Sequence, residues 1–430
     1  MGVVSLGPLD FTAEHEEKRS MNSTDQASCQ GPLQEVDRVV AIDVLRGFAL
    51  LGILVMNMKT FAMIGAAYFF PTAYGDLGGA NLVVWWLADL LANRKFMTIF
   101  SLLFGAGVIL QTARFDAAGR SFRGIYYRRL FWLWVFGLIH SYVFWEGDIL
   151  VTYAIAGLLL YPMRKMRART LMIIGLIVLV VGSAIMLSSG LAAPHWDEHQ
   201  KAEFIADWQP DQQAVAEEEA AFRGSWLTEI KFRYPRVLEM HLFVIPYYLF
   251  WRAFGVMLMG MAMFKWGLLG GQRTKTYRVW IVLGLLVGLP LSAWGAARQF
   301  ASGWEPITAF MVDSQFGYWG SLPVTLGLMG LVFLTIGSGR LSGLKTRLAA
   351  VGRMALTNYL LQTVLCTFIF FGRGLGLFGS VSRVQQMGIV LLVWLFQLWI
   401  SPWWLARYNF GPMEWLWRLL SYGKRPPFRR

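Results

Sequence analysis

The chain has 430 residues, 56% of them hydrophobic and only 15% charged, with a formal net charge of +13 and a mean hydropathy of +0.48. A soluble domain would carry roughly a quarter charged residues, and an outer-membrane barrel would show alternating strands of about ten residues; neither pattern is present. The positive charge would suit nucleic acid, but in a membrane protein it is the ordinary signature of basic cytoplasmic loops.

Residues 1–37 are polar and charged and contain no short apolar core. They predict a disordered cytoplasmic tail without a cleavable signal peptide. Apolar segments follow at 41–63, 96–112, 125–146, 148–162, 171–191, 241–264, 279–297, 319–337, 354–371 and 386–404. Blocks of this kind are read as helices crossing a hydrocarbon core of about 30 Å. The expected fold is therefore an all-α polytopic bundle of about ten transmembrane helices. The stretch NLVVWWLADLLANRK (81–95) cannot belong to the second span, because residues 81–112 would reach about 48 Å as one helix. It predicts an interfacial or re-entrant helix leading into that span.

Basic residues recur in every second connection: 113–129, 163–170, 265–278, 338–353 and the tail ending GKRPPFRR. The connections between them are short, neutral or acidic, and the longest, 192–240, contains EEE at 217–219. The positive-inside rule then predicts both termini in the cytoplasm, as an even number of spans requires. The chain divides accordingly into the tail 1–37, an N-terminal transmembrane half 38–191, an acidic extracytoplasmic loop 192–240, a C-terminal half 241–421, and a basic cytoplasmic tail 422–430.

Within this frame a few polar residues stand out. Asp43 and Arg46 share a face at i, i+3 and open the first span, where they serve as an interfacial anchor or line the mouth of a cytoplasmic cavity. Asn57 projects from nearly the same face, about 21 Å beyond Asp43. His140 lies about 17 to 18 Å from Arg128 and Arg129 along the third span, at a depth similar to that of Asn57. It is a packing residue or, with a pKa near neutrality, a general base. Glu146 and Asp148 follow, either to orient that ring, to receive a substrate, or simply as solvated carboxylates.

Arg128 and Arg129 either obey the positive-inside rule alone or hold the phosphates of a cytosolic cofactor. Asn358 and Gln362, i, i+4 in LTNYLLQ, suit interhelical hydrogen bonds or a ligand equally. Glycines in FGAG (104–107) and GVMLMG (255–260) signal close helix packing. PHWDEH (194–199) has a zinc-like histidine spacing but reads as an acidic surface loop, and no metal site is expected. Cys29 and Cys366 are not expected to pair.

Taken together, RVVAIDVLRGFALLGILVMN, KFMTIFSLLFGAG, RRLFWLWVFGLIH, GDILVTYAIAGLLL, GRMALTNYLLQ and FGPMEWLWR resemble the YeiB-like bacterial membrane proteins, domain of unknown function 418, over about residues 36–421. That family is similar to transmembrane acyltransferases, including type-3 acyltransferases and heparan-α-glucosaminide N-acetyltransferase. The resemblance implies residence in the bacterial inner membrane and a cytosolic acyl-CoA as donor substrate. It also implies an envelope or extracytoplasmic acceptor as partner, beside the membrane lipids.

In type-3 acyltransferases an arginine, ten residues and a catalytic histidine lie on the first helix; here Arg46 and Asn57 have that spacing. The heparan enzyme is similar in having Asn there, with a histidine shortly downstream, but no histidine lies between Asn57 and His140 in this chain. On this reading His140 is the base or acyl carrier and Asn57 donates to the acyl carbonyl. Arg46, Arg128 and Arg129 hold the cofactor phosphates, with Asp43 fixing Arg46. The alternatives are a transporter of a small metabolite or lipid, which would use the same polar stripe as a pathway, and a non-catalytic envelope protein on this scaffold. The sequence is silent on oligomeric state.

Overall fold

The computed structural model describes residues 40–339 and 341–430, with Arg114 by its backbone alone; the polar tail 1–37 and Cys29 lie outside the described residues. Among those residues the secondary structure is helical, apart from one isolated bridge between Tyr408 and Arg429. All ten apolar segments are helical. Among the described residues seven helical stretches are long and apolar enough to cross a membrane: Val40–Ala62, Ala80–Ala117, Ala168–His195, Trp226–Lys265, Thr274–Ala301, Thr308–Gly337 and Arg383–Leu405.

The other three expected spans have physical reasons to fall short. Leu150–Met163 and Ala355–Phe370 have 14 and 16 residues, or about 21 and 24 Å of helix. Arg123–Ile139 carries three arginines in its first two turns. The segment 81–95 does break from the following helix. Ala80–Leu91 ends, Arg94 turns the chain with φ of 65°, and Lys95–Ala117 begins.

Outward apolar rows are marked by Ile173, Ile177 and Val180 on one helix and Val282, Leu285 and Leu286 on another, all largely exposed. Such faces suit hydrocarbon rather than water. Inside, helices approach where glycines leave no side chain between backbones. A Cβ on Gly105 would come 1.9 Å from the Met257 carbonyl oxygen, and one on Gly260 would come 2.0 Å from that of Leu102. The crossing of Val40–Ala62 with Ser342–Arg353 is as tight. A Cβ on Gly352 would stand 1.9 Å from the Asp43 carbonyl oxygen.

The stretch 192–240 is helical: Glu198–Trp208, Gln212–Arg223 and Trp226–Glu239. Asp197, Asp211 and Ser225 start these helices by accepting the backbone N–H of Gln200, Ala214 and Thr228, a capping choice readable in the sequence. They cover the end of the bundle where the first helix stops. Glu218 accepts the Gly65 N–H at 2.9 Å and pairs with Arg236 at 2.7 Å, and Phe222 stacks on Phe378.

Among the described residues four stretches adopt the wider π-helical turn: His140–Phe144, Met240–Leu249, Gly284–Gly288 and Thr308–Asp313. π-Turns are frequent at functional sites. At the first of them the fully buried Arg233 donates to the Ser141 and Val143 carbonyls at 3.1 and 3.3 Å while pairing with Glu229 at 3.1 Å.

Candidate active site

Asp43 and Arg46 form an ion pair of 2.9 Å at one end of the first helix. A cavity of about 260 Å³ opens beside them. Its charged lining comprises Asp43, Arg46, Arg129, Arg353, Glu414 and Arg418. Farther along the first helix Leu50 and Ile53 face it, joined by Phe100, Phe104, Leu130, Leu133 and Leu150. One space therefore offers guanidinium groups suited to phosphate and an apolar surface suited to hydrocarbon.

The charged part is held by the C-terminal helix Pro412–Tyr422. The Arg129 guanidinium lies over the Trp417 ring, 3.9 Å from its centroid, and the Trp417 indole N–H donates to the Arg129 carbonyl at 2.8 Å. Glu414 accepts the backbone N–H groups of Leu356 and Thr357 at 2.6 and 3.1 Å and the Thr357 hydroxyl at 2.5 Å. Its carboxylate thereby satisfies free donors at the start of Ala355–Phe370 and complements that helix's dipole.

Tyr359 lines the cavity and also packs against His140, with ring centroids 5.1 Å apart. His140 is buried. Its Nδ1 lies 2.8 Å from Asp148 Oδ1 and its Nε2 lies 2.9 Å from Thr363 Oγ1. Asp148 is itself fixed, because its Oδ2 accepts the Val151 N–H at 2.9 Å. A carboxylate at Nδ1 selects the Nδ1–H tautomer and leaves Nε2 as the basic nitrogen, the arrangement in which a carboxylate orients a catalytic imidazole.

Residues 263–424 match the family model described as a protein of unknown function, DUF418. The Escherichia coli K12 protein described as "Uncharacterized protein YeiB" is 33% identical over 396 residues, covering 90% of this chain and 97% of that protein. The Bacillus subtilis protein YxaH is 29% identical over 410 residues, covering 90% of this chain and 94% of its own length. A Bacillus acidopullulyticus protein encoded in the amylase 3′ region is 26% identical over 398 residues, or 92% of this chain and 97% of its own. The chain belongs to the YeiB-like DUF418 family.

In this YeiB-like chain the cavity gathers Asp43, Arg46 and Arg129, and Tyr359 links it to His140 and Asp148. Several other candidates stand apart. Arg128 is exposed and points away, because its neighbour Arg129 takes the inward face of that helix. Asn57 is half-buried and does not line the cavity; its carbonyl accepts the Thr60 hydroxyl at 2.9 Å. Glu146 is half-buried beside the covering helices, and its Oε2 has no hydrogen-bond partner among the described residues.

Asn358 and Gln362 are buried away from the cavity in an interhelical network. Gln362 Nε2 donates to Gln397 Oε1 at 2.9 Å, and Gln397 Nε2 donates to the Asn358 carbonyl at 2.9 Å. Asn358 Nδ2 donates to Ser401 Oγ at 3.0 Å. These amide contacts hold helices together rather than face a cofactor. His199 is exposed beside Glu203 at 3.9 Å, and no group of metal-ligating side chains stands together among the described residues.

Sequence reasoning passed over Thr363, Arg418 and Glu414, noted Tyr359 only as one of the polar residues of LTNYLLQ, and read Arg353 only as part of a basic connection. Thr363 shares a face with Tyr359 at i, i+4, a pairing hidden by the more polar Asn358 and Gln362 beside them. FGPMEWLWR carried Glu414 and Arg418 in full view, but only the fold brings that helix to the cavity.

Proposed function

We propose that the protein is a membrane-embedded acyltransferase that takes an acyl group from a cytosolic acyl-CoA and passes it to an acceptor hydroxyl or amine on the other side. The bacterial inner membrane and cytoplasmic termini of the sequence reading belong to this proposal. The observation that carries it is the single cavity whose arginines give way to an apolar wall ending at Tyr359, against an imidazole oriented by a buried carboxylate. Arg46, Arg129, Arg353 and Arg418 would meet the phosphates of the donor, and the apolar wall would take its acyl chain.

The chemistry is a balanced acyl transfer. The acceptor oxygen or nitrogen attacks the thioester carbonyl, a bond forms between them, and the carbon–sulfur bond breaks. His140 Nε2 receives the acceptor's proton and returns it to the departing thiolate, so CoA leaves as a thiol. Asp148 stabilises the imidazolium formed between those steps. Thr363 Oγ1 occupies the position from which an acceptor hydroxyl would hand over its proton.

The test is binding and turnover of acetyl-CoA and longer acyl-CoAs by the purified full chain in detergent. Saturable binding is expected, weakened about tenfold in Arg46→Ala by loss of a charge-assisted contact. Slow thioester hydrolysis, lost in His140→Ala while binding persists, would support the histidine's role. Absence of acyl-CoA binding, together with solute flux in proteoliposomes, would replace the enzyme with a transporter.

A further inference from the structure

The first helix reaches a second cavity at its other end. Lys59 lies about 20 Å along that helix from Arg46 and lines a space of about 40 Å³ together with Asp89, Arg94, Trp304 and Asp313. That volume admits two or three waters, or one group of the size of an oxyanion. The residues come from the ends of four distant segments, so the space is built by tertiary structure rather than by one loop.

Its charged lining sets Lys59 and Arg94 against Asp89 and Asp313. Lys59 is 7% exposed, and its ammonium makes no hydrogen bond to the described residues. Asp89 is the carboxylate within electrostatic reach of Lys59, Arg94 and Lys95 alike, and its Oδ1 already accepts the Asn93 amide at 2.7 Å. The Lys95 ammonium is taken by the Asp89 backbone carbonyl at 2.7 Å. Asp313 is bound by the half-exposed Arg298, whose Nε lies 2.7 Å from its Oδ1, while its Oδ2 is buried without a hydrogen-bond partner among the described residues. Lys59, Arg94 and Lys95 thus share Asp89, and cations that outnumber the carboxylate between them are costly to bury unless a further anion pairs with them.

The backbone is strained at the same place. Among the described residues Arg94 and Trp304 are the non-glycine positions with positive φ, 65° and 60°, and both line this cavity. Left-handed backbone at bulky residues is costly and tends to mark ligand sites. The Trp304 indole N–H is buried without a partner among the described residues, so a donor there awaits an acceptor. Among the described residues the Arg94 guanidinium donates only through its Nε, at 3.0 Å, to the Tyr248 hydroxyl.

We infer that this cavity binds the oxyanion group of a small ligand, of phosphate or carboxylate type, between the Lys59 ammonium, the Arg94 guanidinium and the Trp304 indole. The site is separate from the arginine-lined cavity and does not depend on acyl transfer. A soluble oxyanion and a lipid headgroup would supply the same chemistry.

Thermal unfolding of the full chain in detergent tests the assignment, with inorganic phosphate and acetate as probes against potassium chloride at equal ionic strength. A saturable rise in Tm with phosphate or acetate, absent with chloride, is expected. Lys59→Met should weaken the apparent affinity about tenfold or more, while Lys59→Arg should largely retain it. Arg94→Gly removes the guanidinium and relieves the positive φ, so it should keep its basal Tm while losing the anion response, an outcome that misfolding cannot imitate. Titration with phosphatidylglycerol in place of phosphate distinguishes the sources, since a response to the lipid alone assigns a headgroup. No response to phosphate, acetate or lipid, or a response unchanged in both Lys59→Met and Arg94→Gly, would overturn the site.

Discussion

The position of one proton on His140 decides what the imidazole can do. With Asp148 Oδ1 at 2.8 Å from Nδ1, the ring holds its proton there and exposes a basic Nε2. Asp148→Asn keeps the shape but offers an amide that can donate to Nδ1, which turns the ring to the other tautomer. Acyl transfer should fall by about 10²- to 10⁴-fold with acyl-CoA binding preserved, measured as turnover against equilibrium binding. Glu146→Gln, at a half-buried residue with no hydrogen bond to the ring, should change turnover little. Equal losses in the two variants would remove Asp148 from its special role. Of this arrangement the sequence held the histidine and the two carboxylates eight residues or fewer beyond it. It could not choose between the carboxylates, because the choice is made by the π-turn that Arg233 secures from a helix ninety residues away. Thr363, 223 positions from His140, was beyond any local pattern.

Among helices, contact distance is set where side chains are missing. Gly352→Ala drives a methyl group toward the Asp43 carbonyl oxygen at a crossing that also carries Arg46 and Arg353, so it should lower stability by about 1–3 kcal/mol and weaken acyl-CoA binding with it. Gly388→Ala, where an added Cβ meets nothing within 4 Å, should be neutral or stabilising by up to about 1 kcal/mol through helix propensity. Thermal or denaturant unfolding of the two variants checks the contrast, and similar destabilisation in both would mean that close approach is not the cause. Such crossings were partly legible: FGAG and GVMLMG announced packing, and Gly105 meets the helix that carries Gly260. Their partners were not, since small residues say that something comes near without saying what. The Asp43–Arg46 pair was legible for the opposite reason, because its spacing lies within a single turn.

For the whole molecule, length and hydropathy were enough to recover a helical bundle, because every polar backbone group in hydrocarbon must bond within its own segment. The covering helices of 192–240 were less visible, since their polar faces look like a loop until the Asp197, Asp211 and Ser225 caps are counted. The oxyanion cavity was invisible, as it joins residues near 59 and 94 to others near 304 and 313. The proposed orientation makes its own prediction. A green fluorescent protein fused after Arg430 should fluoresce and an alkaline phosphatase there should be inactive, whereas phosphatase inserted at Gln209–Asp211 should be active. The reverse pattern would place the arginine-lined cavity on the wrong side for a cytosolic acyl-CoA.

The four π-turns bear on how this fold tolerates changes in chain length. An α-helix advances about 100° per residue, so one residue added within it would swing every later side chain to a new face. A π-turn accommodates one surplus residue locally and leaves the flanking turns in phase. Loss of a single residue at His140–Phe144, Met240–Leu249, Gly284–Gly288 or Thr308–Asp313 can therefore restore plain α pitch while the helix beyond keeps its lipid-facing and inward-facing rows. Within these membrane helices, single-residue gaps in an alignment have a natural home, and it is not confined to the loops.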